Sequence, residues 1–259
     1  MTPRQRIKFI TGWIKDYAKK NRIKTLVVGV SGGIDSAVVS TLCARTGLPT
    51  IVVSMPIHQS KKTHGLSVAQ GQWLVENFEN VQHRMVDLTP TFRQFERLFD
   101  GGSELGLANS RARLRMMCLY QTAQDAGGIV VGTGNRVEDF GVGFFTKYGD
   151  GGVDISPIGD CAKTEVWDMG RELGILPEII EAAPTDGLWS DGRTDEKQLG
   201  MTYPELEEAM RLDDLGDDSM EILGLDRTQR SQLKRYREIR ARNLHKMLPI
   251  PVCKIPVDQ

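Results

Sequence analysis

One short segment near the start of the chain has the composition of an anion-binding turn. The apolar, β-branched run at residues 25–30 leads directly into Ser31-Gly32-Gly33-Ile34-Asp35-Ser36. Two glycines let the backbone approach a ligand closely, and a helix beginning here would direct its N–H groups and its partial positive charge at an anion. The segment has neither the Lys-Ser/Thr pair of a Walker A loop nor G-x-G-x-x-G spacing. Because Asp35 would repel a phosphate unless a cation bridged them, we expect Mg²⁺ at this turn.

Strands and helices alternate around this turn. Apolar residues at three- and four-residue steps predict an amphipathic helix over about residues 4–20, and short apolar runs further on predict buried strands. The strands are expected at residues 25–30, 49–55, 81–88 and 128–132, and the other helices at residues 36–45, 60–78, 91–99, 104–126, 164–173 and 177–182. This order implies right-handed crossovers and an α/β fold, a doubly wound, mostly parallel sheet with helices on both faces and a helical C-terminal region.

Two segments show neither a helical nor a strand period. Residues 141–159 are rich in Gly, Asp and aromatic residues, and long irregular loops in compact domains tend to be functional. Residues 184–197 are rich in turn-forming residues. We expect this second segment to be a mobile lid over a bound nucleotide.

The charge of the chain is balanced overall but not locally. Thirty-three Lys and Arg against 34 Asp and Glu give a net charge of -1, so no overall field favours a long polyanion and a nucleic-acid partner is not expected. Residues 205–221 are acidic and residues 226–246 are basic. Two interpretations stay open: solvated helices whose opposite fields partly neutralise each other, or a basic helix that meets phosphate in part.

Composition also limits which cellular location and which cysteine chemistry are expected. The apolar runs fall far short of the roughly 20 residues of a transmembrane helix, and the first residues do not form a signal-peptide core. A cytoplasmic location without a membrane partner is therefore expected. The four cysteines are far apart and form no C-x-x-C pair, which argues against a disulfide framework or a structural zinc. His58, His64 and His83 stand in no motif and are assigned no role.

The turn and several later segments resemble known enzymes. Residues 31–36 resemble the S-G-G-x-D-S loop of the ATP-pyrophosphatase superfamily, whose members split ATP into AMP and pyrophosphate while they adenylate an acceptor. The chain also resembles the NAD synthetase family, which amidates deamido-NAD, from about residue 5 to about residue 250. This second resemblance rests on residues 112–116, 132–138, 145–154 and 245–246. It implies the adenine nucleotide alpha hydrolase-like fold.

The resemblance implies a role for each matching residue. The ATP site would consist of Gly29, Val30, Ser31, Gly32, Gly33, Ile34, Asp35, Ser36, Thr133, Lys163 and Thr185. Mg²⁺ would be held by Asp35 and Glu138, and the catalytic residues would be Asp35, Lys163 and Asp154. Deamido-NAD would be bound by Arg113, Lys147, Asp154, His245 and Lys246. The segment that begins at Thr185 departs from the usual Ser/Thr-Ala-Asp/Glu-Leu pattern of the family.

The predicted fold agrees with a metal site formed by the carboxylates of Asp35 and Glu138, here called the metal pair. Asp35 and Glu138 each follow a predicted parallel strand, so both carboxylates should emerge at the same carboxyl edge of the sheet, where open α/β folds bind ligands. Lys163 is a lone base after a Gly-Asp loop, and as a point charge it suits a pyrophosphate leaving group.

The three arginines near residue 113 must face different ways. Arg113 lies two residues from both Arg111 and Arg115, which is about 200° around a helix. They therefore cannot all contact one ligand. We expect Arg111 and Arg115 to lie in solvent or in salt bridges.

The resemblance implies a ligase that uses ATP, deamido-NAD and ammonia and works as a homodimer. The predicted N-terminal helix and the helix at residues 104–126 are candidate dimer surfaces. Because only about 24 residues precede the first strand, we expect a single synthetase domain over residues 1–259 without an N-terminal glutaminase domain. One alternative is adenylation of another acceptor, such as a tRNA base or a nucleobase, although the paired cysteines of sulfur-transfer relatives are missing. A second alternative is a nucleotide-binding protein without catalysis.

Overall fold

A parallel sheet forms the centre of the chain. The computed structural model describes residues 1–59, 61–99, 101–185, 194–216 and 219–255. In these residues the sheet has four strands in the order β3-β2-β1-β4. The strands are β1 (Thr25–Gly29), β2 (Thr50–Ser54), β3 (Val81–Met85) and β4 (Gly128–Val130).

Strand β1 lies in the middle of the sheet and pairs in parallel with a neighbour on each side. Its Val27 is opposite Ile51 of β2 and Val130 of β4. The chain first winds outward from β1 to β2 and β3 and then returns to the other side of β1 with β4. The strand order therefore reverses between β1 and β4, and such a switch point at the carboxyl ends of the strands is where open α/β sheets bind ligands.

Helices cover both faces of the sheet and continue beyond it. The helices of the first half are α1 (Pro3–Lys20), α2 (Ile34–Arg45), α3 (Lys61–Asn77), α4 (Thr89–Arg97) and α5 (Glu104–Asp125). A π-helix at Arg136–Val142 is followed by α6 (Lys163–Leu173), α7 (Pro177–Ile180), α8 (Asp195–Leu199), α9 (Tyr203–Leu215), α10 (Met220–Leu223) and α11 (Arg227–Met247). The expected α/β class with a helical C-terminal region is confirmed.

The alternation of side chains along β1 divides the core between the two faces. Leu26 and Val28 pack with helices α1, α2 and α6, whereas Val27 packs with residues of α4 and α5. All three side chains are fully buried. A strand covered on both faces needs this continuous apolar run, which explains why β1 was recognisable in the sequence.

The C-terminal helices form a separate core beside the sheet. Val137 of the π-helix packs there with Leu206 of α9 and Tyr236 of α11. This cluster fixes the π-helix from the side away from the sheet. Asn135, directly before the π-helix, donates to Asp35, so the π-helix begins beside the turn that follows β1.

Several boundaries differ from the sequence-based expectation. Helix α2 begins at Ile34 inside the glycine turn, and β3 ends at Met85 rather than at residue 88. The π-helix was not predicted, because a seven-residue segment of i→i+5 hydrogen bonds is too short to show a hydrophobic period. Helix α8 begins at Asp195 within the segment predicted to be a lid. The rest of that prediction falls on residues 186–193, which lie outside the described residues.

The structure also bears on the expectations about membrane-spanning helices and about the cysteines. The described helices include none that is long and apolar enough to cross a membrane. All four cysteines are free thiols, and Cys43 and Cys161 are buried.

Candidate active site

The glycine turn after β1 presents the open N-terminus of α2. Gly32 has a φ of 87°, a backbone conformation that favours glycine, and Gly33 caps α2 without a side-chain hydrogen bond. The hydroxyls of Ser31 and Ser36 lie 3.1 Å apart, and Ser36 Oγ donates to the Gly33 carbonyl oxygen at 2.9 Å. The serines thus hold the shape of the turn, while the first N–H groups of α2 are available to an anion.

Lys163 lies between the two carboxylates expected to bind metal. Its Nζ is 2.5 Å from Asp35 Oδ2 and 2.9 Å from Glu138 Oε1, and its side chain is only 2% exposed. Burial by itself would lower the pKa of Lys163, but the charges of Asp35 and Glu138 outweigh it and raise that pKa. Burial raises the pKa of Asp35, and Lys163 opposes that effect. Lys163 is therefore a buried ammonium that neutralises two half-buried carboxylates.

Asn135 links the two carboxylates through the backbone of the π-helix. Its Oδ1 accepts the N–H groups of Val137 and Glu138, each at 3.0 Å, and its Nδ2 donates to Asp35 Oδ1 at 3.4 Å. The side chain is fully buried. Sequence reasoning had not singled out Asn135, although asparagine before a helical segment is a recognised N-cap.

The donor set fits a magnesium ion that is shared with phosphate. Asp35 and Glu138 supply carboxylate oxygens, the ligands that Mg²⁺ prefers, and their attraction for the same ammonium shows that this position favours positive charge. Among the described residues, no group of three or more His, Cys, Asp or Glu residues could hold a metal ion. Proteins usually bind Mg²⁺ with one or two carboxylates, and water and substrate phosphates supply the remaining ligands.

A cationic cluster lies where the loop after the π-helix meets the end of α11. Arg113 Nε donates to the Lys147 carbonyl oxygen at 3.3 Å, and Lys147 Nζ donates to the His245 carbonyl oxygen at 3.1 Å. Lys246 Nζ donates to the Phe145 carbonyl oxygen at 2.8 Å. The structure therefore brings together four of the five residues expected to bind deamido-NAD, all except Asp154.

The glycines of this loop allow it to pack tightly. A Cβ at Gly151 would lie 2.3 Å from the Phe145 ring, and a Cβ at Gly149 would lie 2.9 Å from Ala112 of α5. Tyr148 adopts a φ of 60°, which is uncommon for a residue with a side chain. The loop thus has one closely fitted conformation against α5.

Asp154, the fifth residue, lies at the end of β4. Its Oδ2 accepts the Val130 N–H at 2.7 Å and its Oδ1 accepts the Tyr120 hydroxyl at 3.2 Å. Tyr120 follows Arg113 by seven residues on α5, which is two turns or about 10 Å along the helix. Asp154 and the cationic cluster therefore lie on the same side of α5 but at different positions along it.

Two further carboxylates, Asp139 and Asp150, interact with these groups. Burial raises the pKa of Asp139 well above its ordinary value, and repulsion from Asp150 and Glu138 adds to the effect. Burial also raises the pKa of Asp150, whose Oδ1 accepts the Thr146 N–H at 3.0 Å. A Cβ at Gly134 would lie 1.8 Å from Asp139 Oδ2, so the glycine leaves room for this carboxylate.

The expectation for Arg115 is wrong. Its Nε donates to the Met55 carbonyl oxygen at 3.0 Å, and its Nη2 is buried without a hydrogen-bond partner among the described residues. Burial lowers its pKa to about 10. Helix α5 directs Arg115 inward, toward the end of β2. The sequence-based expectation for this residue is solvent or a salt bridge. The guanidinium of Arg111 lies over the Phe92 ring, 5.5 Å from its centroid.

Thr133 and Thr185 are the two threonines expected at the ATP site. Thr133 is half-buried three residues after β4, and Thr185 is the last described residue before the gap at 186–193. His58 Nε2 lies 3.3 Å from Glu96 Oε2.

His83, which was assigned no role, begins a buried chain of hydrogen bonds. Its Nε2 lies 2.8 Å from Ser54 Oγ, which lies 2.7 Å from Ser67 Oγ. Ser67 donates to the Val30 carbonyl oxygen at 2.7 Å, directly before the glycine turn. These hydrogen bonds therefore connect β3 with the backbone that leads into the glycine turn.

The acidic and basic segments at the C-terminus pair with each other in part. Arg237 of α11 and Asp213 of α9 form an ion pair of 2.6 Å. Arg240 donates to the carbonyl oxygens of Phe140 and Gly141 at 2.5 and 2.6 Å. Mutual neutralisation thus accounts for part of the basic helix, while its end at Lys246 reaches the cationic cluster.

Comparisons with known proteins agree with this arrangement. An NH(3)-dependent NAD(+) synthetase of Methanosarcina acetivorans is 34% identical over 249 residues, which are 94% of this chain and 95% of that protein. The structure of NMN synthetase from Francisella tularensis is 30% identical with a TM-score of 0.84, over 98% of this chain and 100% of that one. An NH3-dependent NAD synthetase from Campylobacter jejuni shares the fold, with a TM-score of 0.79 at 23% identity over 98% and 100% of the two chains.

A family model covers almost the same residues as the described fold. The sequence model of NAD synthase matches residues 6–249, from helix α1 through the end of α11. The match includes the glycine turn, the carboxylate pair with its lysine, and the cationic cluster. The chain therefore belongs to the NAD synthase family.

Proposed function

We propose that this protein converts deamido-NAD to NAD with ATP and ammonia. The observation that carries the proposal is the buried ammonium of Lys163 between Asp35 and Glu138, at the edge of the sheet where the glycine turn opens. A site that already balances positive charge against two carboxylates suits a metal–polyphosphate complex. The cationic cluster at the end of α11 supplies a second region for phosphate groups, as a dinucleotide acceptor requires.

The glycine turn and Lys163 bind ATP in this proposal. Residues 29–36 hold the phosphates with backbone N–H groups and the N-terminus of α2. Lys163 moves from the carboxylates to the pyrophosphate as charge develops there, and Thr133 and Thr185 contact the nucleotide. Asp35 and Glu138 hold Mg²⁺, which supplies charge neutralisation at the phosphate oxygens when it is bound.

The acceptor lies along α5. Arg113, Lys147, His245 and Lys246 bind its phosphates and ribose groups, and Asp154 contacts it two helical turns further on. Because Val130 and Tyr120 already donate to Asp154, its carboxylate is fixed in one orientation. The nicotinate carboxylate is then directed toward the end of β1 and the ATP site.

The proposed reaction has two steps, adenylation of the acceptor and its amidation. An oxygen of the nicotinate carboxylate forms a bond to the α-phosphorus of ATP as the bond to pyrophosphate breaks. Ammonia then forms a bond to the acyl carbon of the adenylate, the bond from that carbon to AMP breaks, and the nitrogen loses a proton to the phosphate of the departing AMP, which leaves the amide. A carboxylate is already ionised, so the first step depends mainly on positioning and charge stabilisation. In the second step the proton of ammonium passes to a carboxylate, and burial gives Asp150 a raised pKa suited to accept it.

A product assay tests the proposed function. Purified protein is incubated with ATP, Mg²⁺, deamido-NAD and either an ammonium salt or glutamine, and NAD, AMP and pyrophosphate are quantified. We expect equimolar formation of all three with ammonium and none above background with glutamine. Asp35→Asn should abolish formation. A folded protein that binds ATP but releases no AMP with deamido-NAD would contradict the proposal.

One comparison raises nicotinate mononucleotide as an alternative acceptor. The similar structure from Francisella tularensis is that of an NMN synthetase. Nicotinate mononucleotide has the same nicotinate carboxylate and ribose phosphate as deamido-NAD but lacks the adenylyl half. Equal kcat/KM for both acceptors, or a preference for the mononucleotide, would assign this protein the shorter substrate. We expect the dinucleotide to be preferred, because the cationic cluster and Asp154 extend over about 10 Å of α5.

We also propose that the protein is a homodimer. Phe9 and Trp13 on α1, and Leu105 and Met117 on α5, are large apolar side chains that are between 41% and 64% exposed. Phe9 and Trp13 are four residues apart and so share one face of α1, and exposed apolar side chains that share a face are typical of subunit contacts. Size-exclusion chromatography with light scattering is expected to give about twice the monomer mass of 28.9 kDa. A monomer at micromolar concentration would contradict it.

A further inference from the structure

Tyr203 contacts Glu138 and the ammonium of Lys163, and no sequence motif gave it a role. It is the first residue of α9, its side chain is fully buried, and its hydroxyl donates to Glu138 Oε1. Lys163 Nζ donates to the same oxygen at 2.9 Å. Within the described part of the chain, no hydrogen bond reaches the other oxygen, Glu138 Oε2. Both donors therefore hold Oε1 toward the protein, and Oε2 is left to bind a ligand.

The ring of Tyr203 also fixes Lys163. The Lys163 Nζ lies 4.9 Å from the ring centroid, and Trp167 packs against the ring at 5.7 Å with perpendicular planes. An ammonium over an aromatic face is attracted by the quadrupole of the ring. Tyr203 thus interacts with Glu138 through its hydroxyl and with Lys163 through its face.

A second carboxylate shares the hydroxyl of Tyr203. Asp195 Oδ2 of α8 lies 3.2 Å from the hydroxyl, and Asp195 is 5% exposed. The backbone N–H of Tyr203 also donates to Glu196 Oε1 at 3.1 Å. A phenol has one proton to donate, and the contact with Glu138 is the shorter one. Tyr203 therefore connects helix α8 to the metal pair.

We propose that Tyr203 is a positioning residue for the metal site: its hydroxyl holds Glu138 in the orientation in which Oε2 binds the ion. The inference rests on the proposed function, because it takes Asp35 and Glu138 as the metal ligands. When Lys163 moves to the phosphates of ATP, Glu138 loses one of its two donors. The Tyr203 hydroxyl is the donor that stays.

Tyr203→Phe removes only the hydroxyl. The variant keeps the ring, and with it the contacts to Lys163 and Trp167. The matched control is Tyr236→Phe, since Tyr236 is 1% exposed in the same C-terminal core and its hydroxyl lies beside Arg240 on α11. Both changes remove one buried phenolic hydroxyl. Only the first removes a donor to a metal ligand.

Binding of Mn²⁺, measured by electron paramagnetic resonance with a non-hydrolysable ATP analogue, tests the inference. Removing a hydrogen bond to a ligating side chain weakens metal affinity by about 10- to 100-fold, and we expect this of Tyr203→Phe. The apparent KM for Mg²⁺ should rise similarly, while kcat at saturating Mg²⁺ is largely recovered. Tyr236→Phe should match the wild type, and melting in EDTA should show that both variants fold.

A second variant keeps the test decisive if Tyr203→Phe folds poorly. Asp195→Asn removes the competing carboxylate and leaves the phenol proton to Glu138, so we expect Mn²⁺ affinity at least equal to that of the wild type. A large loss of affinity in Asp195→Asn would overturn the inference. So would wild-type affinity in Tyr203→Phe, or an equal loss in Tyr236→Phe.

The outcomes separate this inference from the proposed function. Mn²⁺ binding requires neither deamido-NAD nor turnover. If the wild type forms no NAD but Tyr203→Phe still weakens Mn²⁺ binding, the proposed function fails and the role of Tyr203 stands. If the wild type forms NAD and Tyr203→Phe binds Mn²⁺ normally, only the role of Tyr203 fails.

Discussion

Among single residues, Lys163 is the one for which we expect effects on both stability and chemistry. An ammonium that is 2% exposed is stable only because Asp35 and Glu138 neutralise it, and the same is true of the carboxylates in return. Mutations here therefore change the folding equilibrium as well as the reaction. The two effects can be separated, because folding is measured without substrates.

Lys163→Met is expected to lower the free energy of unfolding by about 3–5 kcal/mol, because it removes the buried cation that neutralises two carboxylates. Formation of AMP should also be lost. Urea denaturation monitored by circular dichroism measures the first effect. Lys15→Met is the control, since Lys15 is an exposed lysine on α1 and its loss should change stability little. Equal unfolding midpoints for the two variants would contradict the role assigned to Lys163.

His83 gives a prediction about pH. Burial lowers the pKa of His83 from its ordinary 6.5, so the unfolded chain takes up a proton at higher pH than the folded chain does. Above about pH 6.5 both states are neutral and no penalty exists. As pH falls below that value, the unfolded state gains protons first, and the free energy of unfolding decreases until the folded histidine is protonated too.

His83→Gln should therefore lose less stability than the wild type between pH 7 and pH 5. Thermal melts across this range, compared between the two proteins, measure the difference. Because the hydrogen bonds run from His83 through Ser54 and Ser67 to Val30, the wild-type protein should also bind ATP less well at pH 5. Parallel stability curves would show that His83 does not contribute to this dependence.

At the level of elements, the loop after the π-helix is held by its glycines. Gly151→Ala would place a Cβ 2.3 Å from the Phe145 ring, so the loop must shift and the cationic cluster with it. We expect the KM for the acceptor to rise about tenfold or more, with the KM for ATP much less affected. In Gly12→Ala, the added Cβ meets nothing within 4 Å in the exposed helix α1. This control should stabilise the protein by about 0.5–1 kcal/mol.

Steady-state kinetics with each substrate varied separately test the loop. An unchanged acceptor KM in Gly151→Ala would mean that the loop tolerates the shift or does not bind the acceptor. The melting temperature of Gly12→Ala should rise, which shows that any loss in Gly151→Ala comes from its position and not from the general exchange of glycine for alanine.

Elements with a strong apolar pattern were predictable, and contacts between distant residues were not. Strand β1 and the turn at Asp35 followed from a buried run before two glycines. The role of Tyr203 depends on a contact with Glu138, 65 positions earlier, and a tyrosine before proline otherwise indicates only a helix start. Arg115 failed for a related reason, because helical spacing excludes a shared ligand but does not distinguish solvent from the interior.

At the level of the whole molecule, a net charge of -1 conceals regions of opposite sign. Helix α11 neutralises α9 through pairs such as Arg237 with Asp213, yet its end joins Arg113 and Lys147 in the cationic cluster. The acceptor should therefore experience a local positive field that salt screens, since the Debye length is about 10 Å at 0.1 M. We expect the acceptor KM to rise with KCl concentration while kcat stays nearly constant. A KM independent of salt would contradict this.

The ammonium of Lys163 is a competitor that cannot diffuse away. A group tethered beside its binding partners has an effective concentration of about millimolar or higher, and dilution of the protein does not lower it. A free divalent cation therefore binds Asp35 and Glu138 with an apparent affinity that is weakened by this competition. A nucleotide changes the competition, because its phosphates offer the ammonium another partner nearby. The cation and ATP should therefore bind with strong positive coupling, so that the protein discriminates against metal ions that arrive without a nucleotide.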